Sequence, residues 1–302
     1  MVSSVKLDDC TFLSEDTSSA NFKMEKPFFG ITIENELFEA NVYASIVSLL
    51  MNKLVRIDRL EKGDNAAVFQ SHVENGRFSD IVNIESKFNK LLCIKPSCFH
   101  AFIKSAQAFS DSVAIAQYSY SASFALLVYA VESMANTAIV STSSKREKMI
   151  RFFCGNVNRD QFLKNEIRQL EFSGRTGNER LLFQKLLHRS YRLRCNYVHE
   201  AEAIPILSQV ADRLSMAFIS NDQKKLFPGY VWLRRISYSA LSNFLDNQPD
   251  VGRNRIRDYV EPLFTGKFKA KTAISKGQWI TEEHVYLQKL SDDFLRKENL
   301  NA

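Results

Sequence analysis

Two arginines and a histidine lie close together in Tyr191-Arg-Leu-Arg-Cys-Asn-Tyr-Val-His199-Glu. A guanidinium is planar and permanently charged, and it grips a phosphate through paired hydrogen bonds. An imidazole, with an ordinary pKa of about 6.5, takes up and returns protons near neutrality. Together they suit phosphodiester chemistry on RNA, which carries its own nucleophile in the 2′-hydroxyl. A base removes that proton, a cation steadies the phosphorane oxygens, and an acid protonates the leaving 5′-oxygen. Nothing in this scheme requires a metal, and the sequence calls for no cofactor. Cys93-x4-Cys98-x-His100 brings three soft side chains together. It lacks the fourth ligand of a structural zinc site.

The element that positions Arg192, Arg194 and His199 is an expected helix from just after Gly177-Asn178 to about His199, with Asn178 as a good N-cap. At about 100° per residue and with Phe183 at zero, Leu187, Val198 and Tyr191 fall between about 40° and 80°. Leu186 and Leu193 fall between about 280° and 300°, which completes one apolar face. Arg194 falls at about 20°, inside that face, while Arg192 falls at about 180°, with His199 at about 160° and Asn196 at about 220°. A guanidinium on an apolar face needs a carboxylate, a phosphate or a water-filled groove, or it must snorkel out. Glu132 follows the apolar run Leu126-Leu-Val-Tyr-Ala-Val and could meet either arginine. It would then either aim the guanidinium or form a plain structural salt bridge. Cys195, at about 120°, sits at the rim of the apolar face, where a small side chain packs. His188 reads as an ordinary surface histidine.

The remaining elements are read from apolar spacing. One helix is expected from about Asp111 to Val140, one following Ser143-Ser144 and ending near Gly155, and one from Arg159 to Phe172. Another should begin at Pro205, with Ile206, Val210, Leu214 and Ala217 on one side. Short links between them predict an antiparallel bundle. Upstream, residues 1–26 read as a polar arm, Phe28 to Glu34 as a short strand, Ala40 to Leu60 as a helix, and Phe78 to Leu92 as another. Downstream, helices are expected near Val231 to Leu245 and near Glu282 to Glu298. Lys267, Lys269 and Lys271, with Arg253, Arg255 and Arg257, form two basic clusters. These could track phosphates or form a solvated face.

Arg194-Cys195-Asn196-Tyr197-Val198-His199 resembles the R-x4-6-H motif of the HEPN superfamily, specifically its Apea-like branch, where a helix ends in a run like Leu-Arg-Asn-x-x-Val-His. Ser123-Phe-Ala-Leu-Leu-Val-Tyr-Ala-Val-Glu-Ser-Met resembles the family's early helix, which carries an acidic residue after an apolar run. The likeness covers about residues 110–220. It departs at Cys195, where the family has a polar residue, and the asparagine comes one position later. Arg192 offers a second frame, R-x6-H. The resemblance implies a mainly α, HEPN-like antiparallel helical bundle and a metal-independent endoribonuclease acting on RNA. Its site would comprise Arg194, His199, Asn196, Glu132 and Arg192. It also implies a homodimer in which two motifs line one cleft, and a toxin or effector role in defence or stress. The alternative is a catalytically silent helical module that binds a protein or nucleic-acid partner. A solvent-open cleft shared by Arg194 and His199 would favour the enzyme. Arg194 sealed against Glu132, with His199 turned away, would favour the module.

Composition sets the frame around this site. The chain has 302 residues, of which 45% are hydrophobic and 25% charged, which excludes a disordered or low-complexity chain. Lysine and arginine exceed the acidic residues by six, a balance that admits a polyanionic partner without requiring one. Five scattered cysteines and no evident secretory signal predict free thiols in the cytoplasm. Polar interruptions in Val113 to Val140 predict a buried core helix and no membrane association. Three parts are expected: a mixed, mainly helical N-terminal region at 1–105, the helical bundle at 106–220, and a helical, basic C-terminal extension at 221–302.

Overall fold

A computed structural model describes residues 3–8, 10–14, 19–24, 33–62, 67–73, 81–140, 144–172, 179–220 and 225–264. Helices dominate, and the fold is mainly α. Residues up to Asn254 form one compact unit, and a second begins at Arg255.

Ten helices lie within the described residues. In the first unit α1 is Ile33–Met51, α2 Ile81–Cys93, α3 Pro96–Ile115, α4 Tyr120–Ala138 and α5 Lys145–Asn156. These are followed by α6 Asp160–Phe172, α7 Glu179–Glu200, α8 Ile206–Arg213 and α9 Tyr230–Asp246. The second unit holds α10, Ile256–Phe264. Strands β1 (Ser3–Leu7), β2 (Cys10–Ser14), β3 (Ser19–Met24), β4 (Val55–Lys62) and β5 (Ala67–Val73) form an antiparallel sheet in the order β1-β2-β3-β5-β4. A two-stranded ribbon, β6 (Phe218–Ile219) with β7 (Leu226–Phe227), precedes α9.

Several expectations are corrected here. The polar start of the chain is three strands, not an arm. Leu7, Cys10 and Phe12 are fully buried, so β1 and β2 carry a core face despite their serines. The helix expected over Ala40 to Leu60 ends at Met51, where Asn52 adopts a left-handed φ of 53°. Short polar residues accept that conformation more readily than others. Leu54 is left in the link and Val55 opens β4. The ladder shifts register between Ile57 and Arg59, and this bulge breaks the two-residue alternation that would mark a strand. Of the strand expected at Phe28 to Glu34, residues 28–32 lie outside the described residues, and Ile33 and Glu34 begin α1. The expected helix near Glu282 to Glu298 and the lysine cluster at 267–271 also lie outside them.

The single helix expected from Asp111 to Val140 is two antiparallel neighbours, α3 and α4. One helix of that length would run about 45 Å and leave much of its apolar surface uncovered. The chain instead turns at Ala116 to Ser119. Ser119 is extended, and its hydroxyl caps α4 by accepting from the Ala122 amide at 3.3 Å. The Ser112 hydroxyl ties the hairpin by donating to the Ser123 carbonyl at 2.7 Å. Phe99, Phe102 and Phe109 of α3 and Phe124, Leu127 and Val131 of α4 are fully buried. Each such burial stabilises the fold by roughly 1.5–3 kcal/mol. Because α3 passes through residue 105 unbroken, the 105/106 boundary falls within a helix.

Helices α5, α6, α7 and α9 keep to their expected spans within one or two residues. Helix α8 does not bury the face expected of it. Of the four residues expected on one side, Ile206 and Leu214 are exposed, Val210 is half-buried and Ala217, beyond the helix, is buried, while Ser208 and Ala211 are the buried residues of the helix itself. The Tyr120 hydroxyl of α4 donates to the Ser208 carbonyl at 2.7 Å and accepts from the Tyr230 amide at 3.2 Å. That anchor turns the small side chains of α8 inward. Burial first, and then the Asp212 carboxylate, pushes the Tyr120 phenol well above its ordinary value. Gly229 permits this approach of α8 and α9, since a Cβ there would stand 2.6 Å from the Asp212 amide nitrogen. Gly229→Ala is therefore expected to cost about 1–3 kcal/mol, because backbone must move. A urea melt with unchanged slope and a lowered midpoint would show it; a wild-type midpoint would contradict the clash.

Candidate functional site

Helix α7 carries most of the candidate site. Leu182, Phe183, Leu186, Leu187 and Leu193 are buried, in the phase expected from their spacing. The helix stays regular to Glu200, which fixes the relation between its polar groups. Arg192 and His199 are both exposed and stand about 20° apart around the axis, about 10 Å apart along it. Arg194 and His199 are about 140° apart. Within one chain, therefore, the shorter frame does not share a face, and the longer one does.

Arg194 faces inward with its side chain 15% exposed, and its Nη2 lies 3.4 Å from Oε2 of Glu132 on α4. The Glu132 side chain is only 4% exposed, and a second cation, Lys145 at the start of α5, lies 3.7 Å from Oε1. Glu132 Oε2 has no hydrogen-bond partner among the described residues, so Coulomb attraction, not directed bonding, holds the pair. Of the two arginines, Arg194 is the one that meets this carboxylate. Tyr191, one turn earlier, shares a hydrogen bond with the Cys195 thiol. Burial raises the Tyr191 phenol, and the neighbouring Glu132 and Cys195 add to that rise.

Asn196 is committed elsewhere. Its Nδ2 donates to Oε2 of Glu202 at 2.7 Å, and the Glu202 amide donates back to the Asn196 carbonyl at 3.3 Å. Ala201 between them has a left-handed φ of 55°, which turns the chain out of α7. Asn196 thus closes the helix end. Val198, placed on the apolar face by its angle, is 52% exposed, because the last turn of α7 runs past the surface that covers the earlier turns.

Sequence spacing alone did not show that the basic start of α5 adjoins α7. Arg146 lies close enough to His188 to act on it, and burial first and Arg146 second hold that imidazole below its ordinary value. Arg189, stacked 5.1 Å over the Phe227 ring, is held down by burial and then by Arg192. The visible signal was the run Lys145-Arg-Glu-Lys148 directly after a serine cap. A separate polar cavity of about 490 Å³, bordered by Asn52, Lys87, Arg235 and Tyr238, lies apart from these groups. All five cysteines are unbridged; Cys98 is buried, and desolvation raises its thiol. Among the described residues no three His, Cys, Asp or Glu side chains converge as a metal site, and no helix is long and apolar enough to cross a membrane. Set against known protein families, curated proteins and solved structures, the chain matches none, so the chemistry of the site rests on its own residues.

Proposed function

We propose that the chain is a metal-independent endoribonuclease of HEPN type that works through the outer face of α7. The observation that carries this reading is the exposed pair Arg192 and His199 on one side of a continuous helix. Arg192 holds the scissile phosphate, and His199 moves a proton to or from the 2′- or 5′-oxygen. One motif offers one histidine for two proton transfers, so the working unit is a homodimer, each subunit supplying one imidazole. The buried Glu132–Arg194 pair serves as the scaffold beneath that face. The likeness of α4 and α7 to HEPN helices supports a role as a toxin or effector.

A second reading has its own observation. Arg194 is paired with Glu132 and turned away from His199, as expected of a helical module that binds RNA or a regulatory protein without cutting. Incubating the purified chain with mixed RNA in excess EDTA separates the two. The enzyme is expected to leave 2′,3′-cyclic phosphate and 5′-hydroxyl ends and to sediment as a dimer. Cleavage abolished by EDTA, or full activity in a monomer, would overturn the proposed mechanism. Intact RNA that co-sediments with the chain would establish the module.

A further inference from the structure

The basic residues of α7 extend well beyond the Arg192 and His199 pair. Lys185, His188, Arg192 and His199 all stand within an arc of about 60° on the helix, spread over about 21 Å of its length. All four are exposed, and no carboxylate of α7 falls in that arc. Helix α5 adds Arg146 beside His188, with Lys145 exposed and Lys148 half-buried on the same turn. The one acid of that turn, Glu147, is already paired with Arg151. The like charges press on one another: Arg146 disfavours the charged form of His188, and Arg192 disfavours that of Arg189. A folded chain tolerates such crowding more easily where an anion relieves it.

We propose that the exposed ridge of α7, with the first turn of α5, is a binding track for single-stranded RNA. The track runs from Lys185 past His188 and Arg146 to Arg192 and His199. It rests on the reading of α7 as the RNA-facing helix, but it assigns Lys185, His188 and Arg146 a task that cleavage itself does not require. A single strand fits better than a duplex for a geometric reason. The basic and imidazole side chains of α7, all of them hydrogen-bond donors to phosphate, form one row on a convex ridge, with neighbours three to seven residues apart. That row follows one sugar-phosphate backbone, whereas a duplex presents two, separated by a groove. The RNA arrives with its phosphates neutralised by solvent cations, and binding releases them.

The test uses the full chain and a fluorescent 2′-O-methyl oligoribonucleotide, which cannot be cut because it lacks the nucleophile. Its affinity is expected to fall with salt, with a log–log slope of roughly 3, as four or five phosphates are neutralised at about 0.7 each. Arg146→Ala with Lys185→Ala removes two exposed charges, and should lower the slope by about 1.4 and weaken binding at low salt at least tenfold. An unchanged slope and affinity in that double variant would overturn the track. So would a blunt duplex that competes better than the single strand. Cleavage of ordinary RNA, measured beside binding, keeps the two readings apart. If the chain binds the oligonucleotide as described but cuts no RNA, the nuclease reading fails and the track stands. If it cuts RNA and the double variant binds like wild type, the nuclease stands and the track fails.

Discussion

Arg194→Ala is expected to lower stability by about 3–5 kcal/mol, near the lower end of that range. The cause lies in the partner that the substitution strands. Glu132 is 4% exposed, and without Arg194 its remaining cation among the described residues is Lys145, which is 69% exposed and 3.7 Å from the other oxygen. A buried charge so poorly matched is costly to keep out of water. Arg194→Leu combined with Glu132→Leu should recover most of the loss, because replacing both members of a buried pair with apolar residues is often neutral. Urea melts of the single and double variants decide the point. If Arg194→Ala melts with the wild type, the pair is solvated and the phase assigned to α7 is wrong.

The second large effect is on catalysis. His199→Ala is expected to reduce RNA cleavage by about 10²–10⁴-fold, the usual contribution of a positioned proton-transfer group. Arg192→Ala should cost about 10²–10³-fold, as the loss of a donor to a developing oxyanion does. Both side chains are exposed, so each variant should stay within about 0.5 kcal/mol of the parent in stability. That contrast separates them from Arg194→Ala, whose loss of activity should follow its loss of folded protein. Single-turnover cleavage rates beside thermal melts measure both quantities. Should folded Arg194→Ala be inactive while Arg192→Ala cuts normally, the shorter frame is the working one and Arg192 leaves the site.

Much of the site was legible because α7 is long and strongly patterned. Phe183, Leu186, Leu187 and Leu193 set its phase, and that phase placed Arg192 and His199 in water and Arg194 against the bundle. The same pattern made Glu132 a partner for one of the arginines, though only the packing of α4 on α7 chose Arg194. What the sequence hid was tertiary. Apolar periodicity runs on through Ala116 to Ser119, so the turn that splits α3 from α4 depends on hydroxyl groups that compete locally with the helix. The bulge in β4 disguised a strand as helical spacing. Ile206 and Leu214 read as a buried stripe, but the anchor from Tyr120 turns Ser208 inward in their place. Nor could spacing show that Arg146, some forty positions upstream, stands beside His188.

The order of strands in the N-terminal sheet bears on how the chain is made. The hairpin of β1 and β2 and its neighbour β3 leave the ribosome before the other two strands of the sheet, and on one edge β3 pairs with β2 at once. Its other edge belongs to β5, which starts at Ala67, 43 residues after β3 ends at Met24. At synthesis rates of about 5–20 residues per second, that edge waits roughly 2–9 s for its partner. An unpaired strand edge is a template for pairing with another chain. On a crowded polysome the nearest such chain is a second nascent copy of the same protein. The insertion of α1 between β3 and β5 thus gives this protein a window during translation when its own identical neighbours compete with the native pairing.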